Sequence, residues 1–376
     1  MHNYLKFDKR FFCDLWRLLK PYWTSEEKIS AWGLLFLNIL CVLGEVRASI
    51  GMNHFHKIFY DALQDFDKNG IIASLEYILV VSLLLMLATS GAIYFNGLLS
   101  IRWRRWLTNH YLQRWLDRQS HMHALNQHID NPDQRVSEDL DKFPSATLSL
   151  FFGPSKLLHS ILILISFGYI LWDLSKSFSF HLLHAVWVIP GFLLWIALFY
   201  AIIGTRIISW IGKKLAMLDY QQQHYNADFR YNLVKLREGQ KVSGEKLNSE
   251  KFHGLFSLIY NNFITIISLK TRLALFTKVY GSLSYIIGFA VAIPFYLAKA
   301  FQLGTVTQIS SAYNSVISAF SVFMESFTEL AEWRSIIHRL AELNQSIEVL
   351  HEPIGIASPL TGEAEHDQND KNFNHV

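Results

Sequence analysis

Charge is scarce in this 376-residue chain: 17% of its residues are Asp, Glu, Lys or Arg, against roughly 25% in soluble domains. A water-soluble enzyme is thereby excluded. The 34 basic and 31 acidic residues leave a net charge of +3, which gives no electrostatic case for nucleic acid as a partner. Cysteine is almost absent. Cys13 lies in a charged stretch and Cys41 in an apolar run, so they make neither a disulfide framework nor a thiolate metal site. No G-x-x-x-x-G-K-S/T phosphate loop occurs; Gly212 with Lys213 and Gly244 with Lys246 lack the preceding loop and the hydroxyl partner. The chain itself is therefore not expected to hydrolyse ATP. An H-E-x-x-H zinc pattern and a G-x-S-x-G nucleophile elbow are missing too. His121, His123 and His128 cluster in sequence, but their spacing does not put three ligands on one helix face, and they read as a solvated polar stretch. Neither a metal nor a cofactor is expected.

What the chain does have is 51% hydrophobic residues, gathered in long blocks. A bilayer core takes about 20 apolar residues per helix, because each adds about 1.5 Å of rise and lipid offers the backbone no partner. Six blocks qualify: Ile29–Gly51, Leu75–Leu99, Lys156–Trp172, His181–Gly204, Leu273–Ala300 and Thr305 to about Trp333. The third is the shortest, and the sixth is diluted by serine and, toward its end, by glutamate. Of the 34 Lys and Arg residues, 28 fall before span one, between spans two and three with Lys156 at the start of span three included, between spans four and five, or after span six. Basic residues are retained on the cytoplasmic side, so both termini are expected there.

Residues 1–28 combine Lys and Arg with Phe11, Phe12, Leu15, Trp16, Leu18 and Leu19. This reads as an interfacial helix ended by Pro21 rather than a cleavable signal. The transmembrane domain is expected over 29–345, and residues 346–376, polar and proline-containing, as a disordered cytoplasmic tail. Outside loops are short except for the piece from Met52 to Ser74. The inside connections, Ser100–Ser155 and Thr205–Arg272, are long, amphipathic and nearly free of glycine clusters, which predicts spans prolonged as projecting helices.

Ionisable groups in spans cost roughly 2.5 to 3.5 kcal/mol each on insertion scales, so they default to cavities, partners or ion paths. In span six, Glu325, Glu329 and Glu332 share one helix face, continued by Val322, Ser318, Ser315 and Ser311. Such a stripe would line a water-filled cavity, and crowding of the carboxylates would favour proton binding. The alternative is that Glu329 and Glu332 lie beyond the lipid and pair with Arg334 or another cytoplasmic segment. In span one, Glu45 and Arg47 point about 200° apart on a helix. Arg47 can snorkel outward, while Glu45, in line with Asn38 and Cys41, turns toward the bundle, either lining a cavity or bonding another helix.

Asn131-Pro132-Asp133-Gln134-Arg135, followed by Glu138 and Asp139, closely resembles the signature of the SbmA/BacA peptide transporters and of the membrane domains of subfamily D ABC transporters. Locally it also suits a helix start, with Asn131 as cap and Pro132 in the first turn. Arg102-Trp103-Arg104-Arg105-Trp106-Leu107-Thr108 with Tyr111, Leu112 and Trp115 resembles the segment before that signature. Phe59-Tyr60-Asp61-Ala62-Leu63-Gln64, Asp228-Phe229-Arg230 with Leu236-Arg237-Glu238, and Ala331-Glu332-Trp333-Arg334 extend the similarity over about residues 10 to 345. At a membrane boundary, Trp103, Trp106, Tyr111 and Trp115 read as interfacial anchors before substrate-stacking groups.

The resemblance implies an all-α membrane protein with the six-helix, exporter-type ABC transmembrane fold, pairing as a homodimer around a central cavity in the bacterial inner membrane. It implies import of antimicrobial or microcin-like peptides, or of bulky hydrophilic compounds such as cobalamin. ABC relatives continue into a nucleotide-binding domain after span six, whereas a short polar tail follows here, the SbmA/BacA arrangement driven by the proton gradient. Where ABC relatives carry an ATPase-engaging motif, this chain has Gly239-Gln240-Lys241-Val242-Ser243-Gly244-Glu245-Lys246, a departure from the usual small and apolar pattern. The start of the chain, without an additional N-terminal membrane helix, is closer to the fused ABC relatives. The expected site is therefore Glu325, Glu329, Glu332 and Glu45 for protons and Ser311, Ser315, Ser318 and Asn38 along the cavity. Asn131 to Arg135, Arg230, Glu238, Trp333 and Arg334 are expected to be structural. Partners would be a second copy, a peptide or other bulky hydrophilic solute, protons and membrane lipid. The alternative is a permease subunit with a separate ATPase chain; a non-transporting scaffold would leave the acidic stripe as an unexplained cost.

Overall fold

The computed structural model describes residues 8–116, 135–176, 180–182, 185–187, 189–237 and 249–349. Helix α1 (Lys9–Trp23) is capped by Asp8, whose carboxylate accepts the Phe11 N–H at 2.9 Å. Its inner face buries Phe11, Leu18 and Tyr22, while Phe12 and Trp16 face outward. The helix runs past Pro21, which had been expected to end it. A proline forfeits only its own N–H bond and crowds the turn before it, so the Thr24 N–H still reaches the Lys20 carbonyl at 3.1 Å.

Helices α2 (Lys28–Gln64) and α3 (Lys68–Leu116) form a long antiparallel pair joined by residues 65–67. The piece from Met52 to Ser74, expected as a loop, is thus mostly helix. No proline interrupts it, and the reversal is made at Phe66, which takes a positive φ of 55°, and at Asp67, whose carboxylate accepts the Asn69 N–H. A π-helical turn (Arg135–Asp139) then leads into α4 (Leu140–Phe152) and α5 (Leu157–Ser175). The last three helices are α6 (Phe192–Arg237), α7 (Ser249–Leu297) and α8 (Leu303–Val349). Accordingly α3, α6, α7 and α8 all project beyond their apolar cores at the end that carries α1, the basic end. Helix α8 continues four residues into the expected tail, whose remainder lies outside the described residues.

Span four begins later than its hydropathy suggests. Strands β1 (Phe180–Leu182) and β2 (Ala185–Trp187) form a short hairpin, pairing Phe180 with Trp187, and α6 starts only at Phe192. Pro190 cannot donate within a helix, and Gly191 turns the chain with a φ of 71°. A Cβ at Gly191 would lie 2.3 Å from the Trp172 ring, so no other residue fits. The freed Leu193 N–H is taken by the Ser175 hydroxyl at 3.1 Å.

Among the described residues, five segments are long and apolar enough to cross a membrane: Lys28–Gln64, Lys68–Arg114, Ser137–Ser175, Phe192–Ile211 and Glu250–Leu297. Helix α8, diluted by its serines and glutamates, packs among them as the sixth. Its start is held by α2. The Asp61 carboxylate accepts the Gly304 N–H at 2.8 Å and the Gln64 side chain accepts the Leu303 N–H at 2.7 Å. Two side chains of one helix thus satisfy orphan donors of another. This gives a physical role to the Phe59–Gln64 motif.

Two apolar cores hold the bundle. One joins α1, α3, α4 and α8 at the basic end through Tyr22, Trp103, Phe143, Trp333 and Leu340. The other joins α5, α6, α7 and α8 through Phe167, Leu171, Ala197, Tyr280 and Tyr313. Trp103, expected as an interfacial anchor, is fully buried and stacks on Tyr22 at 5.5 Å. Its i, i+4 and i+8 neighbours Leu107 and Tyr111 are buried as well, so this face of α3 belongs to the protein core. Trp23 packs against Trp32, and Trp106 against Tyr22, at the same end of the bundle.

Candidate functional site

The third apolar segment is broken within its length. Between α4 and α5 lie Gly153, Pro154, Ser155 and Lys156, with Ser155 at a positive φ of 55°. Irregular backbone at membrane depth is tolerated only where protein or a water-lined cavity satisfies it. Part of the satisfaction is visible: the Asn96 amide on α3 donates to the Leu148 carbonyl at 3.1 Å, and Gly153 N–H to the Ser149 carbonyl at 3.2 Å. Two helices bring ionisable groups to this break, which itself carries Lys156.

From α8, Glu329 accepts a hydrogen bond from the Lys156 ammonium at 2.6 Å. The stripe expected on span six therefore does not consist of three free carboxylates. Its middle member is neutralised by a lysine standing at the break, a partner that neither expected pairing included. Glu325 and Glu332 are exposed, as is Ser318, while Ser311 and Ser315 are half-buried. Glu325, Glu332 and Ser318 thus face away from the other helices of their own protomer, while Ala312, Val316, Ile317 and Ala319 on the opposite flank are buried. Arg334 lies over the Phe11 ring at 5.8 Å.

From α2, Glu45 turns inward as expected and is 2% exposed. Both its carboxylate oxygens lack a hydrogen-bond partner among the described residues; the Thr89 hydroxyl and the Ser155 backbone are polar groups close enough to influence it. Arg47 points outward. Asn38, fully buried, leaves both side-chain polar atoms unpaired.

Glu45 and Asn38 belong to a longer polar file. Asn53 and His56 follow on the same α2 face, given 100° per residue, and Asn53 Oδ1, His56 Nδ1 and the neighbouring Gln308 Oε1 are also buried without partners. Asn53 donates to the Gln308 carbonyl at 2.9 Å, and Thr307 donates to the His56 carbonyl at 3.2 Å. Asn53, His56 and Gln308 were not singled out from sequence, although the 38, 45, 53, 56 spacing places them on one face. Native interiors leave few buried polar atoms unpaired, and a run of them along one face marks a place for water or a mobile proton.

The remaining motif residues are structural where described. Arg135 donates to Glu342 at 2.9 Å and to the Arg339 carbonyl at 3.1 Å. Trp333, nearly buried, donates its indole N–H to Thr147 at 2.8 Å and packs edge-on against Phe11 and Phe151. Arg230 is exposed on the projecting part of α6. Asn131, Pro132, Asp133, Gln134 and Glu238 lie outside the described residues, as do His121, His123 and His128.

Residues 18–297 match the family described as ABC transporter transmembrane region 2. The chain belongs to this family. Among its relatives is the inner membrane ABC transporter ATP-binding protein YddA of Escherichia coli, 27% identical over 88% of this chain and 60% of that protein. ABC transporter D family member 2, chloroplastic, of Arabidopsis thaliana is 30% identical over 90% of this chain and 46% of that protein. The human lysosomal cobalamin transporter ABCD4 is 26% identical over 62% of this chain and 35% of that protein. The chain thus spans about half the length of the curated relatives it matches. As a member of the ABC transporter transmembrane region 2 family it is a multi-pass membrane protein with a transporter's membrane domain.

Proposed function

We propose that this chain imports peptides, or bulky hydrophilic compounds of the cobalamin class, across a bacterial inner membrane as a homodimer of SbmA/BacA type, using the proton gradient. Both termini would lie in the cytoplasm, on the side of the basic end. The observation that carries the proton assignment is Glu45, a buried carboxylate at the break with no counter-charge among the described residues, its oxygens approached only by the Thr89 hydroxyl and the Ser155 backbone. An isolated carboxylate in such a place is tolerated as the neutral acid, so losing and regaining its proton must accompany access to water.

In this reading the exposed α8 stripe, with Glu325, Glu332 and the three serines, faces the cavity between two protomers. Glu45 binds a proton from the α2 file, and the Lys156–Glu329 pair, one residue beyond Ser155, opens or closes with the state of that carboxylate. Rocking of the protomers would then alternate access to the cavity. Pairing is supported by the projecting parts of α6 and α7, which expose Tyr220, Tyr231, Phe256 and Tyr260 beyond the apolar spans. Aromatic residues exposed there call for a covering surface.

The deciding experiment is uptake of a labelled proline-rich peptide into proteoliposomes containing only this chain, with an inward proton gradient and no nucleotide. Protonophore-sensitive uptake that Glu45→Gln abolishes is the expected result. Uptake indifferent to the gradient and to Glu45→Gln would remove the proton assignment.

A second reading rests on the comparisons. Relatives such as YddA are named ATP-binding proteins and extend well beyond the matched region. On that reading an ATPase, separate or joined, drives the same membrane domain. Uptake that requires an added ATPase subunit and ATP would establish it.

A further inference from the structure

A cleft of about 490 Å³ lies between α1, α3 and the end of α8, away from the break and from the α8 stripe. Its polar wall is formed by Arg17 and Lys20 of α1 and by His110 and Arg114 of α3, with Trp16 and Leu107 supplying apolar surface. The wall contains no carboxylate among the described residues. Arg114 is oriented by Asn344 of α8, whose side-chain oxygen accepts from it at 3.3 Å. His110 is held flat against Trp106, ring on ring at 4.8 Å. Arg17 and Lys20 are exposed and form no ion pair among the described residues. Asp14 lines the small neighbouring cleft on the far side of Arg17, and Glu27, beyond His110, is engaged by Arg105 at 2.7 Å. Three fixed positive charges therefore converge on one opening with their nearest acids outside it or already paired.

The depth of this cleft is fixed by its neighbours. Trp23, Trp32 and Trp106 mark the level where aromatic side chains meet lipid headgroups. His110 and Arg114 lie about one and two turns beyond Trp106 along α3, where lipid phosphates are expected beyond an aromatic belt. Helix α1 buries Leu18 and Tyr22 against α3 and turns Phe12 and Trp16 outward, as an interfacial helix does when its outer residues enter lipid.

We propose that this cleft binds a phosphate-bearing anion, the headgroup of an anionic phospholipid, with the phosphate between Arg17, Lys20 and Arg114 and the acyl chains running along the exposed Trp16. Basic pockets beside membrane helices take anionic headgroups in this way, each Lys or Arg contributing attraction. A bound lipid would fasten α1 to α3 and to the end of α8, so the site ties the bundle to the bilayer independently of any transport reading.

The test uses the full chain, purified and delipidated in a neutral detergent, with the variant Arg17→Gln/Lys20→Gln. Both positions are exposed, so the variant keeps the packed face of α1. Retention of phosphatidylglycerol is read by native mass spectrometry and by the rise in melting temperature, with phosphatidylcholine and 10 mM inorganic phosphate as separate arms. The expected result is selective retention of phosphatidylglycerol over phosphatidylcholine, weakened by about 25-fold in the variant, from roughly fivefold for each charge removed. Phosphate alone competing the lipid off, or raising the melting temperature of wild type but not of the variant, would identify the same anion site and show that free phosphate can fill it. Equal retention of both lipids, or equal phosphatidylglycerol retention by wild type and variant, would overturn the proposal.

Discussion

Asp139 and Arg339 meet through two parallel hydrogen bonds of 2.7 Å each, from Nε and Nη2 of the guanidinium to the two carboxylate oxygens, across 200 residues of sequence. The carboxylate is 6% exposed and the guanidinium 39% exposed. Hydrogen bonding to Asp139 holds the Arg339 guanidinium above its ordinary pKa. Because that value is raised from an already high one, the Arg339 contribution is fully present below its unfolded pKa, throughout the neutral range in which Asp139 is ionised. Asp139→Asn should cost about 2 kcal/mol, less than the 3–5 kcal/mol of a fully buried pair because one partner reaches water. Arg339→Lys should cost nearly as much, since lysine keeps the charge but not the fork. Melting in detergent checks both; full stability of the lysine variant would show that charge alone suffices.

Tyr22 carries a hydroxyl that is buried without a hydrogen-bond partner, and burial, reinforced by Glu27, pushes its pKa up to about 12. A raised pKa means that the folded state prefers the protonated phenol. This preference is fully satisfied below the unfolded pKa near 10 and is lost as pH rises through the folded value. Wild type should therefore lose about 2 to 3 kcal/mol between roughly pH 10 and 12 from this group. Tyr22→Phe should lack that share of the alkaline loss and be unaltered or slightly more stable at pH 7. Identical alkaline profiles would count against the assignment.

Gly304 starts α8 where α2 approaches most closely. A Cβ there would stand 2.0 Å from the Lys57 carbonyl oxygen and 2.5 Å from the Asp61 carboxylate. Gly304→Ala should cost about 2 to 3 kcal/mol, at the upper end for overpacking because backbone must move. Asp61→Asn, which keeps an acceptor for the Gly304 N–H, should cost less than 1 kcal/mol. The order of the two melting temperatures is the readout.

Lys156 and Glu329 are both partly exposed, at 34% and 44%. Lys156→Met should therefore cost only about 1 kcal/mol. Adding Glu329→Gln should return part of it, because the unpaired carboxylate is then removed. Additive losses in the double variant would mean that the two residues act separately. Glu45→Gln, by contrast, should leave stability within about 0.5 kcal/mol, since Glu45 has no charged partner to lose among the described residues and glutamine keeps an acceptor for Thr89 and Ser155. Its effect should appear only in gradient-driven uptake.

Much of the architecture was legible because its causes are local. Continuous apolar runs predict spans, and the absence of Pro and Gly clusters predicts that α3, α6 and α7 continue beyond them. Glu45 facing inward while Arg47 faces outward follows from helical angle alone. The failures have equally definite causes. Hydropathy cannot distinguish the β1–β2 hairpin from the start of span four, since both are apolar; Pro190 and Gly191 carried the signal. Tryptophans near a membrane boundary read as anchors, yet Trp103 is core because α1 folds back over it.

The sequence by itself determined the class of this protein, its six apolar segments and the face on which its acidic residues lie, because each depends on composition and helical period within one segment. Only the tertiary structure decided what those residues meet. Lys156 reaches Glu329 from 173 positions away, Asp61 and Gln64 cap a helix that begins more than 200 residues later, and Glu45 is left unpaired beside the broken third span. Such pairings depend on which helices pack together and at what depth, and no periodicity within a single helix encodes that.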